Sequence, residues 1–142
     1  MSRHAPREPR VVFGFHAVLA RLRAEPAFTL VEADLAETPL DPLLDGIDTV
    51  FHQAGQPGVR ASWGAGFGEY IQGNIGVTQR LLEACRHRPL QRFVAASSSS
   101  IYGDAERFPT SEDDLPRPRS PYGVTKLAAE NLCSLYGTNF GV

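Results

Sequence analysis

The 142-residue chain carries 14 basic and 16 acidic residues, a formal net charge of −2, with 42% hydrophobic and 21% charged residues, which is globular composition and enough chain for one ordinary domain. That balance gives no electrostatic ground for a nucleic-acid or anionic-membrane partner. No apolar run approaches membrane-spanning length and the Arg-rich start lacks the apolar core of a secretory signal, so the sequence predicts a cytoplasmic protein.

Residues 1–10 are polar, with three arginines and two prolines, and read as an irregular lead-in. Over residues 11–22 the apolar side chains of Val12, Phe15, Val18, Leu19 and Leu22 recur at three and four, which suits a helix; a strand stub at Val11-Val12-Phe13 is the alternative. Neither reading supplies a phosphate loop. Residues 29–35 form a strand-like run ending in the acid Asp34 and Leu35; taken alone, Asp34 reads as a capping or turn aspartate. Residues 39–46 predict a short crossover with Leu40, Leu43 and Leu44 as its buried side.

The next strand spans residues 48–54 and leaves through Ala54, Gly55, Gln56, Pro57 and Gly58, small residues that let backbone approach a ligand closely. His52 inside it is more simply a satisfied core histidine than a general base. Gly64-Ala65-Gly66-Phe67-Gly68-Glu69 imitates a dinucleotide fingerprint but fails it: the third glycine comes one place early, Glu69 stands where glycine belongs, and no strand precedes. A turn is expected there, then a helix over residues 69–88 with Tyr70, Asn74, Val77, Thr78, Leu81 and Cys85 on one stripe. Asn74 on that buried face must find partners, and a helix-to-helix hydrogen bond is one way. Cys85 and Cys133 lack metal-ligand or redox spacing, so both read as buried thiols, and no metal site is expected.

Arg92-Phe93-Val94-Ala95-Ala96-Ser97-Ser98-Ser99-Ser100-Ile101-Tyr102-Gly103 is an apolar run that breaks into hydroxyls, as a buried parallel strand does when its carboxyl end opens into a ligand crevice. The acidic, proline-rich stretch 104–118 reads as a solvated loop. In Ser120-Pro121-Tyr122-Gly123-Val124-Thr125-Lys126, Ser120 can cap a helix and Pro121 suits its first position. Tyr122 and Lys126 then lie on one face a turn apart, where the ammonium can favour an ionised phenol, although the pair alone reads more simply as an exposed tyrosine and lysine on an amphipathic helix. The final helix is expected over residues 122–136, packing through Ala128, Ala129, Leu132, Cys133 and Tyr136.

From about Phe28 onward the chain resembles the extended short-chain dehydrogenase/reductases, in particular the NAD-dependent sugar-nucleotide epimerases and dehydratases of the UDP-glucose 4-epimerase kind. Three motifs carry the resemblance: Val50-Phe51-His52-Gln53-Ala54-Gly55, Ser97 to Gly103, and Ser120 to Lys126, in the family's order and approximate spacing. Gly55 stands where the family usually has alanine. The resemblance implies an α/β fold, a partial Rossmann-like doubly wound parallel sheet with helices on both faces, in which residues 1–27 are a divergent segment and 28–142 a partial NAD(P)-binding domain. It implies NAD as cofactor, with NADP left open, and a UDP- or dTDP-sugar substrate; family members are often homodimers.

By the same resemblance, Tyr122 as tyrosinate removes the sugar hydroxyl proton, Lys126 lowers the tyrosine pKa and contacts the nicotinamide ribose, and Ser98 holds the reacting oxygen, with Ser99 and Ser100 lining the sugar pocket. Asp34 and Leu35 would hold the adenine, while Ala54, Gly55, Gln56 and Asn74 border the cofactor, Asn74 by holding water or main chain. Dehydratases commonly carry acids where Ser99 and Ser100 stand, which points toward an epimerase or dehydrogenase. Family members are roughly twice this size, and strands one and two of the doubly wound order have no counterpart here. The third strand must then pair directly with the fourth, recruit residues 11–15, or stay loose, and none of these supplies the glycine turn that seats a pyrophosphate.

Overall fold

A computed structural model describes residues 10–11, 28–105 and 107–142. Most of the predicted 11–22 helix and the polar lead-in lie outside them. Arg10–Val11 (β1) and Phe28–Thr29 (β2) pair in parallel, Arg10 opposite Phe28 and Val11 opposite Thr29. The β2 strand is therefore completed by an N-terminal stretch rather than by the following strand, although that stretch begins at Arg10 and residues 12–15 fall outside the description. Thr49–His52 (β3) and Arg92–Ala95 (β4) form a second parallel pair, from Thr49 opposite Arg92 to His52 opposite Ala95. Among the described residues the two pairs are separate sheets.

The expected strand 29–35 is corrected: extended pairing stops at Thr29, and the chain turns at Leu35–Glu37. Asp34 causes the turn. Its carboxylate accepts the Ala36 N–H at 2.8 Å and its carbonyl accepts the N–H groups of Glu37 and Thr38 at 3.1 and 2.8 Å, so local bonds satisfy the backbone in place of a ladder.

The crossover is the short helix Asp41–Leu44 (α1). Its Leu44, with Leu40, Leu81 and Cys85, makes the buried cluster on which Val50, Phe93, Leu35 and Leu90 pack, each buried leucine contributing about 2 kcal/mol. Alternation along β3 sends Val50 and His52 to that side and Phe51 to the other. Phe51 stays 64% exposed beside Val94, so among the described residues one helical layer covers this sheet. Burial also pushes the Cys85 thiol up to about 11. With the native chain, a thiol-reactive dye at neutral pH should therefore titrate only Cys133, which is half-buried; Cys85 should react on unfolding, and prompt labelling of both would contradict the packing.

The predicted stripe helix starts two residues early and is interrupted. Phe67–Tyr70 (α2) passes into six residues of π geometry, Ile71–Gly76, and continues as Val77–Cys85 (α3). Tyr70, Asn74, Val77, Thr78, Leu81 and Cys85 are all buried. The look-alike glycine stretch is a 3-10 turn, Gly64–Gly66, that runs straight into α2, with no strand immediately before it. The last helix, Pro121–Phe140 (α4), runs four residues past the expected end. Tyr136 holds it to α3, donating to Glu83 Oε2 at 2.7 Å and accepting from Gln79 Nε2 at 3.2 Å. Among the described residues no helix is long and apolar enough to cross a membrane.

Candidate active site

Helix α4 begins where Tyr122 needs it. Ser120 Oγ accepts the Gly123 N–H at 3.1 Å and Pro121 occupies the first turn, the arrangement these residue types favour. A second hydroxyl fixes the tyrosine's own backbone: Ser62 Oγ, fully buried, accepts the Tyr122 N–H at 3.0 Å and donates to the Val59 carbonyl at 2.7 Å. The Tyr122 ring meets the edge of Tyr70, centroids 6.3 Å apart at 79°, and Tyr70 is itself held by donating its hydroxyl to the Pro57 carbonyl at 3.0 Å. No hydrogen bond to the Tyr122 hydroxyl occurs among the described residues.

One turn on, half-buried Lys126 donates to the Ala96 carbonyl at 2.6 Å. Burial holds its ammonium below the ordinary lysine range, against a smaller opposite pull from Cys133 and Glu130. The hydroxyl run after β4 lies along the same helix. Ser97 donates to Glu130 Oε2 at 2.5 Å. Ser98 caps the 3-10 turn Ser99–Ile101 by accepting the Ser100 N–H at 3.2 Å, which leaves its own hydrogen to offer outward. Ser99 is exposed and Ser100 half-buried.

Two glycines allow this approach. A Cβ at Gly123 would come within 2.5 Å of the Ser100 carbonyl oxygen, and one at Gly103, where φ is +67°, within 2.1 Å of the Arg117 carbonyl oxygen. Any larger residue at Gly123 must push the serine turn away from α4.

The exit loop of β3 reaches the same place through Asn74, which is 2% exposed. Its Oδ1 accepts the Gln56 N–H at 2.7 Å and its Nδ2 donates to the Gln56 carbonyl at 3.1 Å and to Thr125 Oγ1 at 3.0 Å. Both kinds of partner expected for a buried amide here, main chain and another helix, are thus present. Gly55 packs close enough that a Cβ would lie 2.8 Å from Asn74 Oδ1, and Ala54 beside it is half-buried.

His52 belongs to this network too. Thr78 Oγ1 donates to the Asn74 carbonyl at 2.6 Å, so toward His52 Nε2 at 2.8 Å it can only accept. The proton therefore sits on Nε2, and Nδ1 is buried without a partner among the described residues.

Asp34 and Leu35 lie apart from this cluster: exposed Asp34 makes the turn described above, and Leu35 packs on the core. Arg80, which sequence reading missed, holds their loop by donating to the carbonyls of Leu35, Thr38 and Glu37 at 2.5, 2.6 and 3.4 Å. Ser62 and Thr125 were missed as well. Ser62 stands in an irregular stretch with no periodic signal, whereas Thr125 lies inside the tyrosine motif and could have been found by asking which α4 positions face Asn74. Among the described residues no group of acids, histidines and cysteines could hold a metal ion.

Residues 7–142 match the model of the NAD dependent epimerase/dehydratase family. The chain is 48% identical over 124 residues to the uncharacterized UDP-glucose epimerase YtcB of Bacillus subtilis, covering 87% of this chain and 39% of that protein. It superposes with a TM-score of 0.85 and 47% identity on the UDP-glucuronic acid 4-epimerase of Bacillus cereus, crystallised with UDP-glucuronic acid and NAD, over 89% of this chain and 40% of the other. A dTDP-glucose 4,6-dehydratase of Streptomyces venezuelae with NAD bound also matches, with a TM-score of 0.85 at 26% identity, over 97% of this chain and 45% of the other. The chain thus spans about two fifths of the length of the relatives it matches.

Proposed function

The chain belongs to the NAD-dependent epimerase/dehydratase family, and from that premise we propose that it carries the proton-transfer half of an NAD-dependent nucleotide-sugar 4-epimerase, acting on a UDP-hexose or UDP-hexuronate. The reading is supported by the start of α4, which sets Tyr122 and half-buried Lys126 one turn apart with Lys126 on the Ala96 carbonyl, and by the turn capped by Ser98, whose Ser100 carbonyl packs against Gly123. The absence of acids at Ser99 and Ser100 favours epimerisation over elimination of water, and the relatives named for UDP-sugars favour the UDP class.

The residues fit the nicotinamide end of NAD. Lys126 offers a cation whose hydrogen bond goes to a carbonyl rather than a carboxylate, and the loop at Gly55 and Gln56 presents a backbone held by Asn74. When bound, NAD supplies the hydride acceptor and donor. Ser98 orients the reacting oxygen by donating to it, and Tyr122 takes the proton of the sugar hydroxyl on oxidation and returns it on reduction. Lys126, poised by its Ala96 contact, places positive charge beside that exchange.

A second reading rests on the two separate sheets: among the described residues no glycine-rich turn joins a strand to a helix, so a chain with this scaffold can hold the polar cluster without seating a pyrophosphate. Calorimetric titration with NAD decides between them, followed by proton NMR of UDP-glucuronic acid and UDP-glucose incubated with protein and NAD. Saturable binding in the micromolar range and appearance of a 4-epimer support the enzyme; a flat titration with no epimer from either sugar overturns it in favour of the cofactor-free reading.

A further inference from the structure

We propose that Thr125 is a positioning residue that locks the β3 exit loop to the first turn of α4, so that the cofactor-side loop and the Tyr122–Lys126 helix move as one body. The proposal rests on the oxidoreductase reading for its functional meaning, and on geometry alone for the coupling. Thr125 is fully buried. Its hydroxyl donates to the Tyr122 carbonyl at 2.8 Å, which commits its hydrogen, so toward Asn74 Nδ2 at 3.0 Å it acts only as acceptor.

The other hydrogen of Asn74 Nδ2, together with Oδ1, grips the carbonyl and N–H of Gln56. One carboxamide therefore bridges loop and helix, and Thr125 supplies its only bond to α4 among the described residues. The bridge is held from behind as well. The Asn74 carbonyl accepts the Thr78 hydroxyl, which in turn accepts from His52 of β3. Asn74 stands within the π segment Ile71–Gly76, where such widened turns are frequently found at functional sites. Asn74 thus has fixed partners on β3's loop and on α4 through its carboxamide, and on its own helix through its backbone carbonyl. Removing the Thr125 hydroxyl leaves one buried amide hydrogen unpaired and frees the carboxamide to turn.

Thr125→Val keeps the shape and removes the hydroxyl; Thr125→Ser keeps the hydroxyl. Thr138→Val is the control, because Thr138 makes the same kind of backbone bond, to the Ser134 carbonyl at 2.9 Å, on the exposed side of α4. With active protein, Thr125→Val should lower kcat by about tenfold and raise the KM for NAD by a similar factor, while the KM for the nucleotide sugar stays put. Thr125→Ser should restore both within about threefold and Thr138→Val should change neither. Hydrogen exchange of the Gln56 amide, which needs no turnover, should quicken by about tenfold or more in Thr125→Val and not in the other two. A merely structural role would lower the melting temperature and the active fraction while leaving the KM for NAD and the Gln56 amide unchanged, and that result overturns the proposal. So does a serine variant that behaves like valine. If the wild type turns over no nucleotide sugar, the enzymatic reading falls alone, and the Gln56 amide still decides whether Thr125 couples loop to helix.

Discussion

Tyr122→Phe is expected to reduce turnover of the nucleotide sugar by roughly two to four decades, the effect of losing a positioned acid/base group. The substitution is clean because what places the ring does not involve its hydroxyl. The helix start is set by Ser120 Oγ on the Gly123 N–H and by Ser62 Oγ on the Tyr122 N–H, and the edge contact with Tyr70 is between rings. A phenylalanine keeps all three. Circular dichroism and melting temperature should therefore match wild type, and KM for NAD should change little, since only a group acting in the transition state has been removed. Lys126→Met is the companion variant: it empties the ammonium from beside Ala96 and should cost both turnover and cofactor affinity. Activity of Tyr122→Phe within a few-fold of wild type would remove Tyr122 from the mechanism.

Local signals explain which parts of this arrangement could be read from residues. Ser120 and Pro121 announce the start of α4 because capping and a fixed φ are properties of single residues. The stripe from Tyr70 to Cys85 is legible because burial on one helix face repeats at three and four. That same period hides the π segment: one widened turn at Ile71–Gly76 leaves Tyr70, Asn74 and Val77 all buried, so counting apolar residues does not reveal it. Residues 30–34 carry a strand pattern but have no partner ladder among the described residues, and the turn bonds of Asp34 then decide the backbone. The long-range contacts were the least legible. Ser62 meets Tyr122 across 60 residues and Thr125 meets Asn74 across 51, and such meetings depend on how layers stack rather than on any local preference. The loop that Arg80 holds belongs to the same class, since three carbonyls leave no mark in a sequence.

Acid should destabilise the protein through His52 in a window that its surroundings define. The ring is only 6% exposed, beside Phe93 and donating to Thr78. Burial first, and the Lys126 charge second, lower its pKa from the ordinary 6.5 to about 4. A proton added in the fold would have to sit on buried Nδ1, which has no acceptor to meet it among the described residues. The sign follows from which state binds the proton more readily. Between pH 6.5 and 4 the unfolded chain takes up the proton and the folded chain does not, so protonation pulls toward the unfolded state. The stabilisation from neutral His52 is complete above about pH 6.5 and is lost as pH falls to about 4, amounting to about 3 kcal/mol by linkage. That is a large share of the 5–15 kcal/mol typical of a domain. Urea unfolding of wild type and His52→Gln across this range separates the histidine from the carboxylates, which titrate in both proteins. The difference in stability between them should be flat above pH 7 and shift against the wild type by about 3 kcal/mol on going to pH 4. Parallel curves over the whole range would show that His52 is not held neutral by the fold.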